Sequence, residues 1–112
     1  MNSRQKGKVG ERELAKIMQG YGYDAHRGQQ YSGLMGDADV VGVDGLHIEC
    51  KRTQQVRDEE FLKQAERDAK QGEIPVVMYR RNHEEWKVII RLENFMPIYT
   101  SFLQNRIKSE FE

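Results

Sequence analysis

The chain has few of the features that mark secreted or membrane proteins. It contains one cysteine, Cys50, so it cannot form an internal disulfide, and this favours a reducing compartment. It has no N-terminal apolar run of the signal-peptide type. Hydrophobic residues make up 38% of the chain and charged residues 32%, which argues against a membrane span. We therefore expect a protein that stays inside the cell and has no membrane partner.

Internal repeats, low-complexity segments and linkers rich in proline or serine are also missing. The 112 residues are enough to bury a hydrophobic core. We therefore expect a single domain spanning residues 1–112.

An excess of positive charge is missing as well. The 18 basic and 18 acidic residues cancel, whereas proteins that bind nucleic acids usually carry a basic excess. The basic residues are clustered, however. Arg4, Lys6 and Lys8 open the chain with no acid among them, and Lys51 and Arg52 are adjacent. The total charge therefore disfavours DNA binding, and the distribution of the charges favours it.

Residues 36–51 are the most informative stretch of the chain. They contain two short apolar strands joined by an Asp-Gly turn, with charged residues inside the strands, where burial of an ion is costly. Side chains alternate along a strand, so His47, Glu49 and Lys51 share one face of the second strand. Cys50 lies on the other face, which indicates a small core residue rather than a nucleophile.

The loop between these strands decides whether their acidic residues meet. A two-residue loop would place Asp39 opposite Cys50, on the other side of the sheet from Glu49. A three-residue loop over residues 43–45, with Gly45 left-handed in a bulge, places Asp39 opposite Glu49 on one face. We predict the three-residue loop.

The periodicity of apolar residues and the positions of glycine predict the order of the elements along the chain. The predicted elements are a helix over 3–19, a strand over 23–27, two strands within 36–51, a helix over 57–71 ended by Gly72, a strand over 74–79, a turn over 80–85, a strand over 86–92, and one or two short helices from 95 to the end. This order indicates an α/β domain whose sheet is covered by helices.

The first helix carries an acidic residue on its apolar face. At about 100° per residue, one face collects six residues: Gly7, Gly10, Leu14, Ile17, Met18 and Tyr21. Glu11 falls inside this face, whereas Glu13 falls nearly opposite its centre, with the solvent-facing lysines. Two interpretations of Glu11 stay open: a functional carboxylate, or a residue at the edge of the stripe that pairs with an arginine.

The acids and the lysine suit metal-dependent hydrolysis of phosphodiesters. Magnesium prefers oxygen ligands and takes one or two carboxylates, which Asp39 and Glu49 would provide, and the backbone carbonyl of Cys50 would add a third oxygen. Lys51 would orient or deprotonate the attacking water. Glu11 would reach the metal through water. We expect Mg²⁺, for which Mn²⁺ can substitute, and no small-molecule cofactor.

Three short runs carry a resemblance to a known group of enzymes. The runs are Gly10-Glu11-Arg12-Glu13-Leu14, Asp39-Val40-Val41 and Ile48-Glu49-Cys50-Lys51. They resemble the PD-(D/E)xK nuclease superfamily and, within it, the archaeal-type Holliday junction resolvases and their phage-encoded relatives. The resemblance covers about residues 6–92 and is more specific for the superfamily than for the junction substrate. It implies a restriction-endonuclease-like α/β core with a central mixed five-stranded sheet flanked by helices.

The resemblance also implies an active site and partners. Glu11, Asp39, Glu49 and Lys51 would form the catalytic set, with magnesium as the metal. A homodimer would cut two strands of a four-way DNA junction symmetrically, in the cytoplasm of a bacterial, archaeal or phage-infected cell. Asp37 is a rival for the metal ligand, but Asp39 is preferred because two valines follow it, as in the superfamily.

Further candidates are less specific. Gln64 resembles a glutamine that some superfamily members carry on the helix after the lysine, whereas its place off the apolar face indicates a surface residue. Ser32 lies in a polar loop over residues 28–36, where the resolvases carry a serine, and Tyr31 would stack on an exposed base. The candidate DNA contacts are Arg4, Lys6, Lys8, Arg27, Gln30, Tyr31, Ser32 and Arg52.

Three other interpretations remain. A nuclease of the same fold would cut nicks, flaps or duplex DNA in phage replication, restriction or repair. A DNA-binding module would have lost catalysis, although it has no reason to keep costly clustered acids. A plain α/β domain would use these charges for structural salt bridges. The spacing of His26, His47 and His83 assigns none of them to a transition-metal site.

Overall fold

The computed structural model describes residues 2–28 and 38–111. Within these ranges the chain forms three helices and five strands in the predicted order, which confirms the α/β class. The elements are α1 Ser3–Gly20, β1 His26–Arg27, β2 Val40–Val41, β3 Leu46–Arg52, α2 Asp58–Asp68, β4 Ile74–Arg80, β5 Lys87–Ile89 and α3 Leu92–Glu110.

The five strands form one mixed sheet in the order β1-β2-β3-β4-β5. Strands β3 and β4 are parallel and pair along their whole length, from Leu46 with Ile74 to Arg52 with Arg80. The other neighbouring pairs are antiparallel. Parallel strands need a crossover connection, and α2 supplies it. The predicted mixed five-stranded sheet flanked by helices is therefore confirmed.

The hairpin of β2 and β3 has the predicted register. Val40 pairs with Ile48, so Asp39, one residue earlier, falls opposite Glu49. Gly45 has a φ of 88°, the left-handed conformation that the three-residue loop requires. The regular two-residue turn, which would have separated the two acids, is excluded.

The sheet is covered by α1 on one face and by α2 on the other. The buried residues that pack together on the α1 side are Leu14, Ala15, Ala25, Val40, Ile48, Cys50, Val76 and Met78. On the α2 side, Leu62, Ala65 and Val77 are buried. The predicted alternation along β3 therefore holds: Ile48 and Cys50 enter the core under α1, whereas His47, Glu49 and Lys51 lie on the α2 side. Arg52 continues the alternation, with its side chain against Gly10 of α1.

Two residues of the α1 region are not where the helical wheel predicts them, although Gly10 and Leu14 are buried as predicted. Tyr21, predicted on the buried face, is 76% exposed. Glu13, predicted among the solvent-facing lysines, accepts hydrogen bonds from Arg80 Nη1 at 2.6 Å and Trp86 Nε1 at 2.8 Å. Both predictions are wrong, for different reasons. Tyr21 follows the last residue of α1, so the helical wheel does not apply to it. Glu13 contacts the sheet because a helix lying across a sheet touches it over a wider arc than its apolar residues mark. A glutamate at the edge of that arc reaches the polar groups of the last strands.

Several predicted boundaries are also wrong. The first strand contains two residues instead of covering 23–27. Helix α2 ends at Asp68 because Ala69 adopts extended backbone angles, with φ −66° and ψ 139°. Gly72, predicted to end this helix, has a φ of 89° and lies in the turn that leads into β4. Arg80 belongs to β4 rather than to the following turn.

The C-terminal end of the chain forms one helix rather than one or two short ones. The predicted strand over 86–92 is limited to β5, and Leu92 already belongs to α3. None of the described residues of α3 is buried. Its large exposed apolar residues are Leu92, Phe95, Met96, Ile98, Tyr99, Phe102 and Ile107. In the described part of the chain, no helix combines the length and apolarity needed to cross a membrane.

Two glycines of the hairpin offer a matched test of its geometry. Gly42→Ala is expected to lower the free energy of unfolding by about 3 kcal/mol, because φ is 95° and the new Cβ would collide with the carbonyl oxygen of Asp24. Gly45→Ala, with a φ of 88° but open space around the new atom, should cost about 1 kcal/mol. Urea denaturation compares the two variants, and equal losses would contradict the importance of the Asp24 contact.

Candidate active site

Asp39 is fixed at the entry to β2. It is 9% exposed, and its Oδ2 accepts a hydrogen bond of 2.8 Å from the backbone N–H of Cys50. This bond joins the start of β2 to β3 and turns the carboxylate toward Glu49. Cys50 itself is buried, and burial raises the pKa of its thiol, so the prediction that it is a core residue rather than a nucleophile is confirmed.

Glu49 lies beside Asp39 and is 2% exposed. Burial and the neighbouring charge of Glu49 raise the pKa of Asp39. Burial alone would also raise the pKa of Glu49, but its contacts with His47 and Asp39 and the charge of Lys51 lower it overall. The geometry thus favours a protonated Asp39 that donates to an ionised Glu49. Two carboxylates in such contact are suited to releasing this proton and holding a cation in its place.

Lys51 is held on the same side of the sheet by α2. Its Nζ donates a hydrogen bond of 2.9 Å to Oε1 of Gln64 and lies 4.9 Å from the centre of the Phe61 ring. Gln64 is half-buried and contacts the proposed catalytic lysine, and its own role in the site stays a prediction. The helical wheel missed the contact because a glutamine beside the apolar face is long enough to reach the neighbouring strand.

Glu11 approaches this group from α1. Its side chain is 15% exposed, and its Oε1 lies 3.5 Å from Nη2 of Arg27. Burial raises the pKa of Glu11, the charge of Arg27 opposes this shift, and the charge of Glu49 adds to it. The structure thus brings Glu11 both to an arginine and within electrostatic range of the two acids. Each of the two interpretations left open by the sequence has a geometric basis.

His47 lies on the other side of Glu49. Its Nε2 is 3.6 Å from Oε1 of Glu49, and its Nδ1 is 3.7 Å from Oε1 of Glu73. Potential ligand atoms of His47, Glu49 and Asp68 all lie within 4.8 Å of one another. The sequence assigned no histidine to a transition-metal site, and the structure places His47 next to two carboxylates that could share a metal ion with it. The His-x-Glu spacing on β3 already placed two of them on one face, but Asp68 comes from the end of α2.

One protein-family model matches almost the whole length of the chain. The family model described as "Phage putative PDDEXK endonuclease" matches residues 2–111. The chain belongs to this PDDEXK endonuclease family. Comparison with curated proteins finds no match. Family membership makes the protein a nuclease, so DNA is its substrate, and nucleases of the PDDEXK type usually use divalent metals.

The donor set of this PDDEXK endonuclease fits a divalent cation. Asp39 and Glu49 are buried side by side, and the acidity of Asp39 is suppressed by the negative charge next to it. A bound cation would offset the repulsion between the two negatively charged carboxylates. Carboxylate and backbone carbonyl oxygens are ligands that Mg²⁺ and Mn²⁺ accept.

The basic residues predicted to contact DNA are in different situations. Arg4 and Lys8 are exposed on α1 and Lys6 is half-buried. Arg27 pairs with Glu11. Arg52 has a structural function, because its Nη1 donates to the carbonyl of Arg80 at 2.9 Å. A DNA contact by any of them stays a prediction. The predicted sites Gln30, Tyr31 and Ser32, and the rival ligand Asp37, lie outside the described residues.

Proposed function

We propose that this PDDEXK protein is a magnesium-dependent endodeoxyribonuclease that resolves four-way DNA junctions by paired symmetric nicks, as a homodimer. The observation that carries the active site is the meeting of Asp39, Glu49 and Lys51 on one side of the sheet, with Lys51 fixed by Gln64 at 2.9 Å. The family match supports the nuclease activity. The resemblance of the motifs to junction resolvases supports the choice of substrate.

Each residue of the site has a distinct proposed role. Asp39, Glu49 and the carbonyl of Cys50 hold Mg²⁺, or Mn²⁺ in its place. When bound, such an ion would polarise the phosphate and lower the pKa of a bound water to near neutral. Lys51, held by Gln64, donates hydrogen bonds to the attacking water or to the phosphate and offsets the negative charge that develops there. Glu11 orients water from the opposite side of the sheet.

Helix α3 supports the proposed homodimer. Its exposed apolar residues form a surface that the other described parts of the chain do not bury, and such surfaces mark interaction sites. A helix of 19 residues is about 28 Å long, enough for an extended contact between two copies. Antiparallel pairing of two copies of this helix would relate two active sites by twofold symmetry.

The substrate is tested with a labelled four-way junction and a duplex of the same sequence, each with magnesium or with a chelator. We expect paired symmetric nicks in the junction, dependent on magnesium, and no nicks in the duplex. Equal cutting of both substrates would keep the nuclease and overturn the junction preference. If DNA of any structure remains uncut with either Mg²⁺ or Mn²⁺, the proposed active site is wrong.

A substitution on the exposed apolar surface of α3 tests the proposed homodimer. Phe102 is 60% exposed, and Phe102→Glu is expected to weaken self-association at least 100-fold, because it introduces two charges into a symmetric apolar contact. Val88→Glu is the matched control, since Val88 is 55% exposed but lies on β5. Sedimentation equilibrium measures the change. A monomeric wild type, or equal effects of both substitutions, would overturn the proposed interface.

A further inference from the structure

The imidazole ring of His47 is buried although, within the described part of the chain, one of its nitrogens makes no hydrogen bond. The residue is 2% exposed, and among the described residues its Nε2 has no hydrogen-bond partner. Leaving a buried polar atom without a hydrogen-bond partner destabilises the folded state. Buried polar atoms of this kind call for an explanation, and an ion is one of the usual ones. Oε1 of Glu49 is 3.6 Å from this nitrogen, too far for a hydrogen bond.

Asp68 completes a set of three potential ligands around this nitrogen. It is the last residue of α2, and it lies with His47 and Glu49 in a group whose ligand atoms are within 4.8 Å of one another. Ligands about 2.1 Å from one ion lie about 3–4 Å apart. Small rotations of the two carboxylates therefore bring the three ligand atoms to coordination distance.

A cavity next to these residues provides space for the remaining ligands. It has a volume of about 130 Å³ and is lined by His47, Asp68, Lys70 and Glu73 together with residues of the β2–β3 hairpin. This is enough for a few water molecules. The polar lining allows such waters to be hydrogen-bonded, so an ion at His47 would have water on its open side.

The charges around His47 also favour a cation. Glu49 and Glu73 face the two ring nitrogens, and Asp68 adds a third carboxylate. Lys70 is the basic residue that lines the cavity. The imidazole nitrogen distinguishes this group from the site at Asp39, because Mg²⁺ prefers oxygen ligands whereas Mn²⁺ and Zn²⁺ accept nitrogen.

We propose that His47, Glu49 and Asp68 bind a second divalent cation, a transition metal such as Mn²⁺, separate from the ion at Asp39. Glu49 bridges the two positions, and this bridging rests on the proposed active site. Binding at His47 does not depend on DNA cleavage.

Electron paramagnetic resonance with Mn²⁺ as the probe tests the site without reference to activity. In wild type we expect two Mn²⁺ per chain and a hyperfine coupling to imidazole nitrogen. His47→Gln should bind one Mn²⁺ and lose the nitrogen coupling, and Asp68→Asn should bind the second ion at least 10-fold more weakly. The control is His26→Gln, because His26 is exposed on β1, and it should behave as wild type.

A single Mn²⁺ without nitrogen coupling in wild type would overturn the proposal and leave His47 as a protonated partner of the carboxylates. Unchanged binding in His47→Gln would overturn it too. If His47→Gln does not fold, Asp68→Asn decides, because Asp68 is only half-buried. Asp39→Asn separates the two proposals: the nitrogen coupling should persist in this variant even where the ion at Asp39 is lost.

Discussion

Lys51→Ala is expected to reduce the rate of DNA cleavage at saturating magnesium by about 1,000-fold, because it removes the positive charge beside the proposed reacting phosphate. The side chain contributes little to the core, since its ammonium group contacts Gln64 and the Phe61 ring at the edge of α2. The melting temperature should therefore change little. Single-turnover cleavage and thermal unfolding of the same preparation measure the two effects.

The matched control is Lys63→Ala. Lys63 precedes Gln64 on α2 but is exposed, so its loss removes the same charge without touching the site. We expect cleavage within about threefold of wild type, because exposed charges act weakly through solvent. Similar losses in both variants would show that Lys51 acts through general electrostatic attraction of DNA, and a Lys51→Ala variant that cuts normally would exclude its proposed role.

Asp39→Asn is expected to stabilise the metal-free protein while abolishing its stabilisation by magnesium. Burial and Glu49 raise the pKa of Asp39 in the folded state above its unfolded value of about 3.9. The stability from this group is therefore fully present below about pH 4 and is lost as the pH rises through the raised folded pKa. Asparagine does not ionise, so it does not lose this stability as the pH rises. The free energy of unfolding of Asp39→Asn should therefore exceed that of wild type by an amount that grows with pH and reaches about 2 kcal/mol near pH 8.

Urea unfolding in the presence of a chelator, from pH 5 to 8.5, measures this gain. Asp44→Asn is the control, since Asp44 is exposed in the hairpin loop and its substitution should leave the pH dependence of wild type unchanged. Destabilisation of Asp39→Asn at every pH would support the alternative in which these acids form structural salt bridges. The same result would count against a site built to hold a cation.

The features that the sequence predicted correctly depend on local geometry. The register that places Asp39 opposite Glu49 follows from a short loop and from alternation along two adjacent strands. The burial of Cys50 follows from the same alternation. These rules act over a few residues, so no knowledge of the rest of the fold was needed.

The features that the sequence did not predict depend on how distant elements pack. Glu13 contacts Arg80 and Trp86, which are more than 60 residues away along the chain, with separations of 67 and 73. Asp68 meets His47 only because α2 ends where it does. Helical periodicity describes one helix at a time, and it contains no information about which neighbour a polar side chain will reach.

Helices on both faces of the sheet must pack against it before the proposed site is complete. Glu11 belongs to α1 on one side, and Gln64 reaches Lys51 from α2 on the other. Strand β3 also needs β4 as its parallel neighbour, and β4 follows α2 along the chain. A chain still leaving the ribosome thus lacks this arrangement until most of its length has been synthesised. Partial chains that end before β4 would therefore lack the proposed active site.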